Sequence, residues 1–311
     1  MKKTTNQTEI GISVIIPTMC SSQRQHSLWR AINSIGQQNG VDIEVIIIVN
    51  GKHYDHKLFE KLKSTPELQV HYLPEASLPA AIRYGRSLVT KEYFAFLDDD
   101  DEYLPQALTT RVIPLSNDAD IDIVVTNGFI FTQHDRLRLS NAQIESAQRD
   151  PLLSLLAGNW LSSCGALYRS SSVPIDYFDG KTKYYEWTLL AFRLALDRKN
   201  IQFLNEPTFR VYDNHGSISK TKKYREASSG FVRGLLNFEI PAAMRNGLLR
   251  KLAKELHGLS NHHLGLHEMK PAWKFHIQSL NYPGGLKYLT YTRKLIYKTA
   301  KIFLTKTTQN P

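Results

Sequence analysis

Short apolar runs separated by helical patterns constrain this chain more than any other feature of its sequence. Five runs in the first half are apolar on both faces of a strand, and several end at turn residues. After the first run, Leu28, Ala31, Ile32 and Ile35 recur at helical spacing. Buried strands that alternate with helices are typical of a parallel sheet covered on both sides, so we predict an α/β fold with functional residues after the strands. The predicted strands are Ile12–Ile16, Glu44–Val49, Val70–Leu73, Tyr93–Leu97 and Ile121–Thr126.

The second half of the chain is less regular and more helical. Asp150–Ala157 and Glu186–Leu196 have helical patterns, and the sequence from about residue 224 onward is mostly helical, with prolines as breaks. We therefore predict an α/β domain over residues 8–224 and a C-terminal helical region over residues 225–311. No apolar run reaches the roughly 20 residues of a membrane-spanning helix. The apolar run after the polar N-terminus is too short for a signal-peptide core, which predicts a cytoplasmic protein.

The charge of the chain is concentrated in its tail. There are 39 Lys+Arg against 29 Asp+Glu, and this net charge of +10 favours an anionic partner. Residues 285–306 predict a helix with basic and apolar residues on opposite faces, and with tyrosines suited to a membrane interface. Such a helix either lies on an anionic membrane or packs its apolar face on the protein's own core. The basic set is Lys287, Lys294, Lys298 and Lys301, and the apolar set is Leu289, Ile296, Ala300 and Phe303.

The most distinctive motif is an apolar strand that runs directly into five acidic residues, Asp98 to Glu102. Because the carboxylates follow a buried strand, several are expected close together at the sheet edge, where a divalent cation would relieve their repulsion. Asp98 and Asp100 are two residues apart and can converge on one Mg²⁺ or Mn²⁺ that also binds substrate phosphates. The alternative is a solvated acidic turn. The chain has only two cysteines and no Cys-x-x-Cys pair, which excludes a zinc or redox centre of that type.

Four segments, taken as a set, resemble the inverting GT-A glycosyltransferases of family 2. The segment Leu97–Asp101, with Pro105 shortly after it, is similar to the family's D-x-D region, and Ser13–Thr18 is similar to its N-terminal segment. Glu44–Gly51 resembles the second strand, whose end contacts the nucleotide, and Ala80–Gly85 resembles the helix before the D-x-D. The four occur in the family's order and spacing. The resemblance implies that the α/β domain is a GT-A fold, with a Rossmann-like, mainly parallel sheet.

For the nucleotide, the resemblance implies a pocket at the ends of the first two strands. Pro17 and Thr18 would line this pocket. Asn50 would face the base or the ribose, at a position where the family often has an aspartate. Arg83 would also contact the nucleotide-sugar. It lies one position from the family's usual arginine, where Ile82 stands in this chain.

For the diphosphate, the resemblance implies a metal-assisted site on the acidic turn. Asp98 would face the ribose or the metal, and Asp99 would belong to the same nucleotide-sugar site. Asp100 would bind the metal, which is Mn²⁺ or Mg²⁺. His215 lies in a segment that resembles a His-x-Ser-type loop near the end of the family's catalytic domain, and would reach the metal or the diphosphate.

Glu186 is the candidate catalytic base. It begins a predicted helix before which the family commonly has a Glu-Asp pair, and here Trp187 replaces the second carboxylate, so Glu186 is either the base or the structural member of the pair. Trp187 and two neighbouring tyrosines predict partial desolvation, which raises the pKa of Glu186 and makes it a better proton acceptor. The alternative is an ordinary carboxylate at a helix N-terminus. Asp179 and Asp176 are the next candidates.

The resemblance implies transfer of a sugar from a nucleotide-diphosphate donor to the hydroxyl of a glycan or lipid-linked acceptor, in surface polysaccharide, lipopolysaccharide or capsule synthesis. Two other functions stay open. A nucleotidyltransferase also uses a parallel sheet, acidic residues and a metal, but normally has a glycine-rich basic loop after its first strand, and residues 18–24 contain no glycine. A non-enzymatic adaptor for membrane or nucleic acid accounts for the basic tail but not for the acidic cluster. We therefore predict an enzyme without a nucleic-acid partner.

Overall fold

The computed structural model describes residues 10–213 and 221–307, without the side chains of residues 302–307. The chain divides into two compact units at residue 214. The described strands all lie in the first unit, and the second is helical. The predicted domain boundary at residue 224 lies within the first helix of the second unit.

The first unit alternates strands and helices along the chain. The described strands are β1 (Gly11–Thr18), β2 (Asp42–Asn50), β3 (Leu68–Leu73), β4 (Tyr93–Phe96), β5 (Glu102–Tyr103), β6 (Ile123–Phe131), β7 (Asp135–Leu137), β8 (Ala166–Arg169) and β9 (Ile201–Tyr212). The helices of this unit are α1 (Gln25–Gly36), α2 (His56–Lys63), α3 (Leu78–Ser87), α4 (Ala107–Asn117), α5 (Asn141–Arg149), α6 (Pro151–Ser154) and α7 (Glu186–Leu196).

The strands form one mixed sheet in the order β3-β2-β1-β4-β8-β6-β9-β5, with β7 paired to β6. The half made of β3, β2, β1 and β4 is parallel, which confirms the fold predicted from the first four apolar runs. The fifth predicted strand became β6, but it does not pair with β4, because the antiparallel strand β8 lies between them. The sequence did not predict β8 or β9.

Helix α3 packs closely against the parallel half of the sheet. Ser77 caps its N-terminus and Pro79 lies in its first turn, as the sequence predicts. A Cβ atom on Gly85 would lie 2.4 Å from Cγ2 of Ile15 on β1. The glycine that ends the predicted helix is therefore required for this close approach between helix and strand.

Alternate residues of β4 face two different cores. Ala95 belongs to the large core that β1, β2 and β4 form with α1, α2 and α4. On the other face, the Phe94 ring stacks on Tyr168 with centroids 4.9 Å apart, and the Phe96 ring meets Trp187 of α7 at 5.1 Å. The strand that leads into the acidic turn therefore also fixes the start of α7.

The second unit contains α8 (Lys222–Leu235), α9 (Ala242–Gly265), α10 (Met269–Leu280) and α11 (Tyr291–Thr307). Helix α11 packs on the others through one stripe of side chains. Leu295 is fully buried with Leu264 and Ala272, and the indole of Trp273 donates to the Thr299 hydroxyl at 3.0 Å. None of the described helices is both long and apolar enough to cross a membrane.

The predicted tail helix is interrupted before α11. Lys287 lies in the short 3-10 helix Leu286–Tyr288, and Leu289 follows it, so neither continues a face of α11. The apolar stripe that the sequence identified is not the stripe that packs. Leu289 is 52% exposed and Ile296 is 56% exposed, and the neighbouring Tyr297 is 65% exposed. The tail is thus anchored to its own unit, while the predicted apolar residues Leu289 and Ile296 stay at the surface.

The positive charge of the chain belongs to the second unit as a whole. Residues 215–311 carry 17 Lys+Arg against 4 Asp+Glu, whereas residues 1–214 carry 22 against 25. The second part of the chain is therefore net +13 and the first part is net −3. A surface with this excess of cations attracts anionic partners.

Glu44 is a buried carboxylate that ties β2 to its neighbours. It accepts hydrogen bonds from Gln69 at 2.7 Å, from the Thr90 hydroxyl at 3.0 Å, and from the Ser13 hydroxyl. Burial alone would raise the pKa of Glu44, but these hydrogen bonds to the ionised form outweigh it and the pKa is lowered.

Replacing Glu44 with Gln should lower the free energy of unfolding by about 1–3 kcal/mol at pH 7, because a charged acceptor of several hydrogen bonds is lost. The folded-state pKa lies below the ordinary value of 4.5, so this stabilisation is present above pH 4.5 and is lost as the pH falls through the folded pKa. Urea denaturation across this pH range measures the difference. Glu67→Gln, at an exposed position, is the control and should change little. An equal loss in both variants would contradict the prediction.

Candidate active site

Three parallel strands end side by side at one edge of the sheet. β1 lies between β2 and β4, so the ends of all three strands are adjacent. The predicted nucleotide residues Pro17, Thr18 and Asn50 lie at the ends of β1 and β2, and all three are buried. The acidic turn Asp98–Asp101 follows β4 at the same edge. The fold therefore brings these predicted residues to one edge of the sheet.

Two of the four aspartates in this turn face the protein interior. Asp99 is 4% exposed and accepts a hydrogen bond of 2.6 Å from the Thr18 hydroxyl and another from Arg24. Asp101 is 3% exposed and accepts from the backbone N–H of Tyr212 at 3.1 Å. These contacts hold the turn to β1 and β9. The predicted role of Asp99 at the nucleotide-sugar stays a prediction, and in the structure its two oxygens have protein partners.

The other two aspartates, Asp98 and Asp100, are less buried than Asp99 and Asp101. Asp98 accepts a hydrogen bond of 2.6 Å from the Ser163 hydroxyl, and burial together with the charge of Asp100 raises the pKa of Asp98 to about 7. The side chain of Asp100 is 25% exposed. Two carboxylates that repel each other at a partly open edge are suited to sharing a divalent cation.

The donor set limits how such a cation would be held. Among the described residues, no three His, Cys, Asp or Glu side chains form a group that could hold a metal ion. Asp98 and Asp100 nevertheless fit the arrangement usual for Mg²⁺ and Mn²⁺, in which one or two carboxylates bind the metal and substrate phosphates and water complete its shell. The predicted second ligand, His215, lies outside the described residues.

Arg24 and Ser163 contact the acidic turn and were missed by the sequence analysis. Arg24 ends a short 3-10 helix after β1, and its guanidinium contacts both Asp99 and Asp100. Ser163 precedes β8, a strand that the sequence did not predict. The position of Arg24 after the first strand was a usable signal, since residues there reach the same sheet edge. Ser163 belongs to no motif that could have identified it.

Glu186 begins α7, as predicted, and lies in a desolvated position. Its neighbour Trp187 packs on Phe96, two residues before Asp98, so the start of α7 is held against the strand that carries the acidic turn. Its Oε1 accepts from the backbone N–H of Tyr184 at 2.9 Å. Burial raises the pKa of Glu186 and the nearby Asp179 adds to this, although the backbone hydrogen bonds oppose it. A carboxylate with a raised pKa is a better proton acceptor than an exposed one.

A small cavity opens beside Glu186. Its walls are mainly apolar and include Pro79 and Ile82 of α3, Phe178 of the preceding loop, and Trp187. Glu186 lies in its lining, and these apolar walls explain the desolvation of the carboxylate.

The two alternative bases are placed differently. Asp179 caps a tight turn, where the hydroxyl and N–H of Thr182 and the N–H of Lys181 donate to it. Partial burial raises the pKa of Asp179, but these hydrogen bonds outweigh the burial and leave it lowered, which makes Asp179 a weaker base than Glu186. The side chain of Asp176 is 84% exposed. Of the three carboxylates, Glu186 best fits a general base.

Arg83 holds the segment that leads to Glu186. Its Nη1 donates to the carbonyl oxygens of Ile175 at 3.0 Å and Phe178 at 2.6 Å. These contacts hold the short 3-10 helix Ile175–Tyr177, which precedes Glu186 in the chain. The predicted contact between Arg83 and the nucleotide stays a prediction, since the structure shows the guanidinium engaged with the protein backbone.

Comparison with known proteins identifies the family. The sequence profile described as Glycosyl transferase family 2 matches residues 13–173, a little over half of the chain. The chain belongs to glycosyl transferase family 2. An uncharacterized glycosyltransferase of Rickettsia typhi is 24% identical over 244 residues, which cover 74% of each chain. These findings confirm the family recognised in the sequence and support glycosyltransferase activity over nucleotidyl transfer or a non-enzymatic adaptor.

Solved structures confirm the GT-A fold. Residues 1–349 of S. aureus TarS in complex with UDP-GlcNAc superpose with a TM-score of 0.59 at 14% identity, covering 87% of this chain and 81% of that one. A longer TarS structure superposes with a TM-score of 0.60 at 16% identity, and the match covers 94% of this chain and 53% of that one. The family 2 match includes the acidic turn and Ser163 but ends before Glu186. The role of Glu186 therefore rests on its position and environment in this structure.

Proposed function

We propose that this family 2 glycosyltransferase moves a sugar from a nucleoside-diphosphate donor to an acceptor hydroxyl with inversion at the anomeric carbon. The observation that carries the proposal is the shared sheet edge, where the ends of β1 and β2 adjoin the turn with Asp98 and Asp100. In parallel sheets this edge is where nucleotides bind. The similarity of the fold to TarS, which was solved with UDP-GlcNAc, supports a donor of this class.

Asp98 and Asp100 would hold Mn²⁺ or Mg²⁺ together with oxygens of the donor diphosphate. When bound, the cation supplies positive charge that stabilises the diphosphate as a leaving group. The pairing of Asp99 with Thr18 supports this division of roles, because it fixes the turn without using the oxygens of Asp98 or Asp100. Ser163 holds one oxygen of Asp98 in place.

Glu186 would accept the proton of the acceptor hydroxyl. As that hydroxyl oxygen bonds to the anomeric carbon, the bond from this carbon to the donor diphosphate breaks, and the proton moves to the Glu186 carboxylate. Phe96, Trp187 and the apolar cavity walls reduce the access of water to this carboxylate and raise its pKa. Arg83 would act as a positioning residue, because it holds the backbone before Glu186.

The acceptor would be a glycan or a lipid-linked saccharide, in the synthesis of a surface polysaccharide. The second unit would hold the enzyme at the inner face of the cell membrane, with the catalytic unit in the cytoplasm. Exposed apolar residues among lysines support this assignment, and Leu286, Leu289, Ile296 and Tyr297 are each more than half exposed. Basic charge attracts anionic lipids, and exposed apolar and aromatic side chains enter the interface.

Asp100→Asn should remove metal-dependent nucleotide binding, because the amide keeps the size of the side chain but loses its charge. We expect the affinity for UDP in the presence of Mn²⁺ to weaken at least about tenfold, or about 1.4 kcal/mol. Calorimetric titration with Mn²⁺ and with EDTA measures the effect. The exposed Asp120→Asn is the control. Unchanged Mn²⁺-dependent binding in the Asp100 variant would remove Asp100 from the metal site.

Glu186→Gln should lower kcat by about 10²–10⁴-fold while the donor Kd stays nearly unchanged, because the amide cannot accept a proton. A thermal-shift screen of nucleotide-sugars first identifies the donor, and the rate of sugar transfer from that donor is then measured. In the wild type kcat should fall as the pH drops through the raised pKa of Glu186, and this limb should vanish in the variant. Asp179→Asn, at a turn cap, is the control and should retain most activity. A kcat within a few-fold of wild type in the Glu186 variant would rule out the base assignment.

Membrane binding should be tested by point substitutions rather than by truncation, because removing α11 would expose the core around Leu295. The full chain should sediment with phosphatidylglycerol vesicles in a salt-sensitive manner, and not with neutral vesicles. Changing Arg293 and Lys301 to Gln should weaken binding by about 1 kcal/mol each. A Lys52→Gln, Lys57→Gln double variant in the first unit is the control. If the wild type stays in the supernatant at low salt, the membrane proposal fails.

A further inference from the structure

Arg24 places a positive charge inside the acidic turn. Its Nη1 donates to Oδ1 of Asp99 and lies 3.3 Å from Oδ2 of Asp100. Asp98, Asp99 and Asp100 stabilise the guanidinium and raise its pKa, although burial opposes this. Arg24 thus contacts the carboxylate that the proposed function assigns to the metal.

The contact to Asp100 can be exchanged without loosening the turn. The Arg24 side chain is 39% exposed, whereas that of Asp99 is 5% exposed. Asp99 accepts the 2.6 Å hydrogen bond from Thr18 through Oδ2, whereas Arg24 donates to its other oxygen, Oδ1. The turn is therefore anchored by buried groups, and Arg24 reaches it from the solvent side.

Arg30 shows that a nearby positive charge need not contact this carboxylate. Its guanidinium stacks 3.6 Å above the Tyr212 ring, and its Nη2 donates to the backbone carbonyl oxygen of Asp100 rather than to the side chain. Its Nε lies 3.8 Å from Glu102. Arg24 and Arg30 bring equal charge to the acidic turn, but they differ in contact with the Asp100 carboxylate.

We propose that Arg24 and the divalent cation compete for the side chain of Asp100, so that metal binding and donor binding are coupled through Arg24. This inference rests on the proposed function, in which Asp100 binds the metal. A guanidinium and a divalent cation repel each other and cannot share one carboxylate oxygen at close range. The donor diphosphate is the one substrate group that attracts both cations, because its oxygens can bind the metal and also accept hydrogen bonds from arginine.

The consequence is a metal site that is weak until the donor arrives. Without a diphosphate, the cation must displace Arg24 from Asp100. The apparent affinity for the cation is then the intrinsic affinity multiplied by the fraction of molecules in which Asp100 is free of Arg24. With a diphosphate present, Arg24 gains a new partner and leaves Asp100 to the metal. By reciprocity, Mn²⁺ must strengthen UDP binding by the same factor by which UDP strengthens Mn²⁺ binding. Arg24 acts here as a positioning residue through Asp100.

The test measures Mn²⁺ binding itself, from the electron paramagnetic resonance signal of free Mn²⁺, with and without UDP. Arg24→Gln should bind Mn²⁺ alone about three- to fivefold more tightly than wild type, the upper part of the range expected for loss of a partly exposed ion pair. The factor by which UDP strengthens Mn²⁺ binding should shrink in this variant. Arg24→Lys keeps the charge but not the forked geometry of the guanidinium. Its affinity for Mn²⁺ should lie between those of the wild type and Arg24→Gln. Melting temperatures establish that each variant is folded.

Arg30→Gln is the matched control, because it removes an equal charge from the same turn without freeing the Asp100 carboxylate. Its Mn²⁺ affinity should stay within about twofold of wild type, and an increase equal to that of Arg24→Gln would overturn the proposal in favour of a general charge effect. Asp100→Asn tests the metal site separately from the competition with Arg24. If Mn²⁺ binding depends on Asp100 but not on Arg24, the competition is wrong and the metal site stands. If the wild type binds no Mn²⁺ even with UDP, the metal site itself is wrong.

Discussion

The hydrogen bond between Thr18 and Asp99 joins the ends of two parallel strands, and the arrangement of the site depends on it. It gives a buried carboxylate a partner, without which burial of its charge would be costly. It also decides which aspartates of a four-residue run point inward. With Asp99 held by β1 and Asp101 held by β9, Asp98 and Asp100 are the two aspartates that stay partly exposed at the sheet edge. The packing of two strands thereby determines which carboxylates face the interior and which face the sheet edge.

The same strand positions the second half of the site. Because side chains alternate along β4, Ala95 can pack in the large core while Phe94 and Phe96 pack on the opposite face. Phe96 then meets Trp187, and Glu186 stands beside it at the start of α7. A single short strand therefore connects a proposed metal-binding turn with a proposed base that lies 86 positions after Asp100 in the sequence.

The sequence predicted those parts of the molecule that depend on local pattern. The strands β1 to β4 and the helix that begins at Glu186 follow from apolar runs and helical spacing. β8 was missed because its pairing with β4 and β6 is a long-range contact that no local pattern of the sequence indicates. Four identical aspartates carry no signal of which side chain turns inward, and Ser163 reaches Asp98 across 65 positions. The stripe of α11 that packs was misjudged because Leu295 is buried by α9 and α10, whose arrangement the tail sequence does not encode.

The net charge of +10 is the sum of two parts of the chain that have opposite charge. Residues 1–214, which carry the acidic turn, are net −3, and residues 215–311 are net +13. Salt screens charges that lie more than about 8–10 Å apart in solution, so the repulsion between two carboxylates is relieved best by a cation that contacts them. Arg24 supplies such a charge to Asp100 in the structure, and under our proposal a diphosphate-bound metal would take its place when the donor is present.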